Sequence, residues 1–232
     1  MAFRWKNLSD ILITFLSSLF AVGSPSPSDI VFLFDTSNGV TQSDLRQQKE
    51  FVKLLAKHLG VSPSHSHAAV LSYSDRPRLK GGFYANLRGT SFEEIVDSVT
   101  LTGGKRNIEE ALKQTRRMHS LARPTVPYVV FLITFGQQAP DFGSAGLQES
   151  AKNLRDMGAN LYVIGIGVDV SKPQLQQIVK RPSDVFEIPT SDDFQSYVQP
   201  IAYYVASRLG KTILNVYLLI SRTGSTFGFE ET

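Results

Sequence analysis

The sequence predicts an α/β fold, a three-layer sandwich with a mostly parallel central sheet and helices on both faces. Continuous apolar runs alternate along the chain with segments whose apolar residues recur at helical spacing. Continuous apolar runs are typical of parallel strands that are covered on both faces. This alternation indicates repeated strand–helix–strand units, and one short hairpin adds an antiparallel edge strand.

Six segments are predicted as strands. The run 129–135 is, after the first strand, the most apolar, and we expect it to lie beside that strand at the centre of the sheet. A turn at 74–77 is short enough to form a hairpin, so the strand that follows it is predicted to be the antiparallel edge strand. The six segments are 30–34, 68–73, 78–84, 129–135, 161–166 and 185–188.

Helices are predicted between these strands from apolar stripes and from signals at their ends. Ser91 and Glu94 have the spacing of a capping box, in which each side chain bonds a backbone amide at the helix start. Asn107 is placed to cap the next helix, and Gly60 and Gly158 are suited to ending helices. The predicted helices are 43–59, 91–99, 108–120, 147–157, 172–179 and 192–209.

The chain of 232 residues is predicted to carry one globular domain. Near its start, Arg4 and Lys6 precede the apolar run 11–22, and small residues precede Ser24, a pattern typical of a secretory signal peptide. We therefore divide the chain into a signal peptide at 1–23, a linker at 24–28, a domain at 29–209 and a C-terminal extension at 210–232.

The composition excludes several classes of protein. A hydrophobic content of 42% with 19% charged residues is typical of a folded globular protein. The net charge of +3 is spread along the chain with no basic stripe, so no nucleic-acid partner is predicted. The absence of cysteine excludes disulfides, thiolate zinc sites and cysteine nucleophiles. The apolar segments 11–22 and 212–220 are shorter than the roughly 20 residues of a membrane helix, so no membrane span is predicted.

A carboxylate and a hydroxyl follow the first predicted strand. In the segment DIVFLFDTSNG, Asp35 stands at the carboxyl end of the strand, where open α/β sheets place their ligand sites. Ser37 adds a second oxygen donor two residues later. Such a pair begins either a divalent-cation site or a phosphoryl-transfer site, and side chains at other strand ends decide between them.

Six segments, in this order, resemble a von Willebrand factor type A domain of the kind found in collagen VI chains and matrilins. They run from Asp29 to about Leu209 and read DIVFLFDTSNG, AAVLSYSD, LTGGKRNIEEAL, YVVFLITFG, LRDMGANLYVIGIG and VFEIPTSDDFQSYVQPI. The resemblance implies a Rossmann-like sandwich. It also implies a secreted, non-enzymatic module of the extracellular matrix or of cell adhesion, whose partners are matrix or cell-surface proteins such as collagen-like chains or other type A domains.

The resemblance further implies a metal-ion-dependent adhesion site, in which an Asp-x-Ser-x-Ser motif, a threonine and a second aspartate hold Mg²⁺. Asp35 and Ser37 match that motif, but Gly39 stands at the second serine. The threonine position falls on Arg106 and the second aspartate position on Phe135, so three of the five side chains are lost. We therefore predict no metal and no other cofactor, with Arg106 bonded to Asp35 in the place of the ion.

Loss of the metal leaves a predicted contact surface at the carboxyl ends of the central strands. This predicted rim consists of Asp35, Ser37, Asn38, Lys105, Arg106, Gln137 and Gln138. A shift of register by one residue would put Asn107 at the ion position instead of Arg106; an asparagine can serve as a ligand but does not restore the carboxylate lost at Phe135. A separate alternative is that Asp35 and Ser37 only brace the loop after the first strand.

Two other functions fit parts of the pattern. One is a Mg²⁺-dependent receptor domain. The other is a phosphatase of the haloacid-dehalogenase type, with Asp35 as nucleophile and the pair Asp192 and Asp193 as the later acidic residues. The phosphatase pattern requires a second aspartate at position 37, where this chain has Ser37. No catalytic residue is therefore predicted.

Overall fold

The computed structural model describes residues 26–85 and 89–209. The predicted signal peptide, the first two residues of the predicted linker and the predicted C-terminal extension lie outside these ranges. Within the described ranges, no helix is long and apolar enough to cross a membrane.

The described residues form a central sheet of six strands. Its strands are β1 (Asp29–Asp35), β2 (His67–Tyr73), β3 (Pro77–Gly81), β4 (Tyr128–Thr134), β5 (Asn160–Ile166) and β6 (Val185–Ile188). They lie in the order β3-β2-β1-β4-β5-β6, and only the β2–β3 pair is antiparallel. The predicted mostly parallel sheet with one antiparallel edge strand is confirmed, as is the central position of β1 and β4.

In the described part of the chain, six α-helices cover the sheet on its two faces. They are α1 (Gln42–His58), α2 (Phe92–Asp97), α3 (Ile108–Met118), α4 (Ala145–Asp156), α5 (Lys172–Ile178) and α6 (Phe194–Arg208). Buried side chains of α1, α2 and α6 pack with one face of the sheet, and those of α3, α4 and α5 pack with the other. Two apolar cores separated by the sheet give the predicted three-layer sandwich.

Most predicted element boundaries agree with the structure to within two residues, and the differences have physical reasons. The edge strand β3 ends at Gly81 instead of continuing to Tyr84, because Phe83 turns inward and is buried in one of the two cores. The predicted closing helix starts with a 3-10 turn at Ser191–Asp193 before α6 begins. Strand β4 ends one residue early, so Phe135 lies in the loop that follows.

The start of β1 is held by a buried ion pair. Oδ1 of Asp29 lies 2.8 Å from Nε of Arg123, and its Oδ2 accepts a hydrogen bond of 2.5 Å from the backbone N–H of the same arginine. Asp29 is fully buried. This pair fixes the chain after α3 to the amino-terminal end of β1, which is opposite the end that carries the predicted rim.

Candidate functional site

Asp35 is fixed at the end of β1 by a buried glutamine. Its backbone N–H donates to Oε1 of Gln48 at 3.2 Å, and Nε2 of Gln48 donates back to the carbonyl of Asp35 at 3.3 Å. Gln48 is not among the site residues predicted from the sequence. Gln48 lies on the buried face of α1 between Leu45 and Val52, so the signal was a polar side chain at core spacing.

Both carboxylate oxygens of Asp35 are occupied by hydrogen-bond donors. Oδ1 accepts from the backbone N–H and the hydroxyl of Ser37, at 3.1 Å and 2.6 Å. Oδ2 accepts from Nε of Arg106 at 2.5 Å and from the backbone N–H of Phe135 at 3.0 Å. Because a carboxylate has about four acceptor positions, this buried carboxylate is satisfied entirely by protein groups.

The expected pair between Arg106 and Asp35 is present, and it involves Arg106 rather than its neighbour. Asn107 instead caps α3, since its Oδ1 accepts from the N–H of Glu110 at 3.0 Å. The guanidinium of Arg106 passes over Gly136, where a Cβ atom would lie 2.5 Å from Nη1. The side chain of Arg106 is only 14% exposed, so the pair is mostly shielded from solvent.

The residues present do not fit a hard divalent cation. Gly39 has a φ of 91°, a conformation that disfavours the serine of the family motif. Phe135 is partly buried and its ring packs edge-on against Phe194, with centroids 6.4 Å apart. The one carboxylate of the motif, Asp35, already pairs with a guanidinium. A dication at this position would meet a positive charge and few free oxygen ligands.

The neighbouring loop is tied to Asn38. The backbone N–H of Asn38 donates to the carbonyl of Gly104 at 2.9 Å, and its Oδ1 accepts from the N–H of Gly104 at 3.1 Å. Lys105 next to it forms an ion pair with Asp141, which raises the pKa of the lysine. The positive charge of Lys105 is therefore already matched by an exposed carboxylate.

Burial corrects the membership of the predicted rim. Asp35, Ser37 and Gln138 are buried and cannot themselves contact a partner in this conformation. The side-chain Oε1 of Gln138 accepts from the N–H of Glu109 at 2.8 Å, and its Nε2 donates to the carbonyl of Gly143 at 2.5 Å, so this residue braces the start of α3.

Four residues of the predicted rim remain within reach of a partner, and one is added. The loop after β5 carries Val168, which is 97% exposed. The backbone carbonyl oxygen of Asp169, the residue after Val168, lies 3.5 Å from the position of a Cβ on Gly136. The loop after β5 therefore adjoins the guanidinium of Arg106. We call the resulting surface the accessible rim; it consists of Asn38, Lys105, Arg106, Gln137 and Val168.

The acidic pair that the phosphatase alternative requires has local partners. Oδ1 of Asp192 accepts from Nε2 of Gln47 at 3.2 Å, and Oδ2 of Asp193 accepts from the N–H of Thr190 at 3.1 Å. Across the described residues, no hydrogen bond or ion pair joins either carboxylate to Asp35. The pair organises the start of α6.

The sequence that forms this sheet and its helices matches a known family. The family described as von Willebrand factor type A domain matches residues 29–200. The chain belongs to this family. Solved structures that share the fold of this type A domain include the following two. Proximal thread matrix protein 1 from the mussel byssus, described with a zinc-occupied MIDAS motif, aligns with a TM-score of 0.70 at 23% identity, covering 87% of this chain and 53% of that chain. BatB from Bacteroides thetaiotaomicron aligns with a TM-score of 0.63 at 15% identity, covering 80% of this chain and 100% of that chain.

Curated relatives of this type A domain include much longer proteins. The collagen alpha-4(VI) chain of Mus musculus is 29% identical over 189 residues, which are 79% of this chain and 8% of the collagen chain. Cochlin of Bos taurus is 28% identical over 210 residues, 84% of this chain and 36% of cochlin. Cuticlin-6 of Caenorhabditis elegans is 29% identical over 161 residues, 69% of this chain and 27% of cuticlin-6. The chain thus spans well under half the length of these relatives.

Proposed function

We propose that this type A domain is a secreted, non-enzymatic binding module that mediates protein–protein interaction in the extracellular matrix or in cell adhesion, and that it acts without a bound metal. Its partners are extracellular matrix or cell-surface proteins, such as collagen-like chains or other type A domains. The kinship with collagen VI chains and cochlin supports the matrix setting. The observation that carries the metal-free mode is the pair between Arg106 and Asp35.

Electrostatics favours the metal-free mode. Two opposite unit charges about 4 Å apart attract by about 4 kcal/mol at an effective dielectric constant near 20, before desolvation is counted. A dication that entered beside Arg106 would lose this pair and would be repelled by the displaced guanidinium. Removing one partner of a buried pair typically costs about 3–5 kcal/mol, which a divalent cation with few ligands would have to offset.

The same contacts argue against nucleophilic catalysis at Asp35. A carboxylate nucleophile needs an oxygen that can approach the substrate. Both oxygens of Asp35 accept hydrogen bonds from protein groups, and the residue is fully buried beneath the accessible rim. This arrangement favours a binding module over a phosphatase.

Binding of the full chain to purified collagen VI and to solubilised matrix proteins tests the proposal. We expect equal binding in EDTA and in Mg²⁺, and loss of binding in the variant Asn38→Ala/Gln137→Ala/Val168→Ser. The matched control, Glu149→Ala/Lys152→Ala on α4, changes exposed residues away from the rim and should bind like wild type. Two results would favour the metal-dependent receptor domain instead. One is partner binding that requires Mg²⁺, and the other is a calorimetric titration in which Mg²⁺ or Mn²⁺ binds saturably with a micromolar dissociation constant.

A further inference from the structure

The guanidinium of Arg106 uses only part of its hydrogen-bonding capacity. An arginine side chain carries five N–H donors in a planar fork. Nε of Arg106 donates to Asp35, and Nη1 makes only a long contact of 3.5 Å with the carbonyl of Gln137. Among the described residues, Nη2 has no hydrogen-bond acceptor. The outer edge of the fork is therefore available to a ligand that accepts two hydrogen bonds.

The fork is held in place before any ligand arrives. Asp35 anchors Nε, and Gln48 in turn fixes the backbone of Asp35. Gly136 leaves the space in which the guanidinium lies. A pre-positioned planar fork loses little conformational entropy on binding and matches the geometry of a carboxylate.

We propose that Arg106 binds a carboxylate of the partner protein directly, so that the accessible rim is a metal-free acceptor for an aspartate or glutamate side chain. This inference rests on the function proposed above and names the chemistry of the partner. The guanidinium then lies between two carboxylates, Asp35 below and the partner residue above. Asp35 opposes the second carboxylate only weakly, because it is farther away and its charge is shared among five donor groups.

The surroundings of Arg106 favour a protein segment over a sulfated polysaccharide. A polyanion is held by several unpaired cations, but the nearest exposed cation in sequence, Lys105, is paired with Asp141. The rim instead offers the exposed apolar side chain of Val168 and the exposed amides of Asn38 and Gln137. These groups suit an acidic side chain that is flanked by an apolar residue.

Nuclear magnetic resonance titration of the ¹⁵N-labelled full chain tests the proposal in EDTA at constant ionic strength. The probe is the peptide acetyl-Val-Glu-Val-amide, and its matched control has glutamine in place of glutamate. We expect the glutamate peptide to shift the Nε–H signal of Arg106 and the amide signal of Gln137 saturably, with a dissociation constant of millimolar order. The glutamine peptide should bind at least about tenfold more weakly, because it lacks the charge-assisted hydrogen bonds.

Two variants sharpen the assignment. Arg106→Lys keeps the positive charge beside Asp35 but loses the planar fork, so we expect about tenfold weaker binding of the glutamate peptide. Lys105→Gln removes the neighbouring exposed charge and should change the affinity by less than about threefold. The comparison of the two peptides on wild-type protein remains decisive even if Arg106→Lys disturbs the fold.

Several outcomes would overturn the proposal. They are equal shifts with both peptides, wild-type affinity in Arg106→Lys, or shifts of these signals by heparin while the glutamate peptide has no effect.

Failure of this inference can be distinguished from failure of the proposed function. If matrix partners still bind in EDTA and depend on Val168 but not on Arg106, the function stands and the carboxylate site does not. If the peptide binds as expected but no matrix protein does, the carboxylate site stands and the proposed function is wrong.

Discussion

A Cβ atom on Gly136 would lie 2.5 Å from Nη1 of Arg106. The backbone of Gly136 is not in the left-handed region, so this glycine is required for space and not for its conformational freedom. The absent side chain lets the guanidinium lie against the loop after β4 and reach Asp35. The pair at the strand ends therefore depends on a residue that carries no functional group.

Gly136→Ala should displace the guanidinium of Arg106. Overpacking of this kind costs about 1–3 kcal/mol, and we expect the lower part of that range because the far end of a flexible side chain can move. Urea unfolding measures the loss, and a shifted Nε–H signal of Arg106 locates it. Gly82→Ala is the matched control, since a Cβ atom there has no neighbour within 4 Å. Equal stability losses in the two variants would contradict the steric explanation.

The ion pair should appear as a coupling free energy in a double-mutant cycle. Arg106→Gln leaves the buried carboxylate of Asp35 without its cation, and we expect it to lower the free energy of unfolding by about 3 kcal/mol. Asp35→Asn/Arg106→Gln removes both charges and should be less destabilising than the sum of the single changes, by 1 kcal/mol or more. Denaturant unfolding of the four proteins gives the coupling. Additive changes would show that the two residues stabilise the fold independently.

The sequence predicts the fold well because the strands are buried on both faces. β1 and β4 read as continuous apolar runs, a pattern typical of strands that are covered by helices on both sides. The capping box at Ser91 and the cap at Asn107 predict helix starts for a local reason, since both involve only residues three positions apart. The end of β3 was misplaced because burial of Phe83 depends on tertiary packing.

The site was predicted less completely because its geometry depends on residues that are far apart in the sequence. Asp35 and Arg106 could be paired through the family motif. The burial of Gln138 beneath the rim, the space at Gly136 and the exposure of Val168 follow from how three loops meet, and no local pattern encodes that. Gln48 left a signal, a polar residue on an apolar stripe, but such a signal does not reveal which backbone groups it bonds.

Tyr73 should make the protein less stable at high pH. Burial, reinforced by the negative charge of Asp35, raises its pKa well above its ordinary value, and its hydroxyl donates to the carbonyl of Ile133 at 2.8 Å. Because the folded-state pKa is raised, the stabilising contribution is complete below the unfolded pKa of about 10 and is lost as the pH rises above it. We expect the free energy of unfolding to fall above about pH 10, by up to about 1.4 kcal/mol per pH unit for this group.

The Tyr73→Phe variant isolates that contribution. Its stability at pH 7 should be lower by about 1 kcal/mol, the typical value of one hydrogen bond. Above about pH 10 the gap between variant and wild type should narrow, because the variant has no phenol to ionise at this position. Denaturant unfolding between pH 7 and pH 11 measures both effects. A gap that stays constant over this range would mean that Tyr73 does not contribute to the alkaline loss.

Asp29→Asn should destabilise the protein without affecting the accessible rim. The substitution replaces the carboxylate that accepts from Nε and the backbone N–H of Arg123, and we expect a loss of about 3 kcal/mol. Since Asp29 lies at the opposite end of β1 from Asp35, the Nε–H signal of Arg106 and binding to matrix proteins should be unchanged in the folded fraction. Loss of binding in fully folded Asp29→Asn would show that the two ends of the sheet are coupled.

Millimolar Mg²⁺ should leave the thermal stability of the protein unchanged. A cation that bound only the folded state with a dissociation constant of 50 μM would stabilise it by about 2.7 kcal/mol at 5 mM. A shift of that size in the free energy of unfolding is easily measured, so its absence would exclude such a site.

Replacing one lost ligand should not create a Mg²⁺ site, because Gly39→Ser forces a serine into a φ of 91° and leaves Arg106 and Phe135 in place. We expect this variant to be about 1–2 kcal/mol less stable than wild type and equally insensitive to Mg²⁺. Stabilisation of Gly39→Ser by Mg²⁺ would mean that the guanidinium yields its place to a cation.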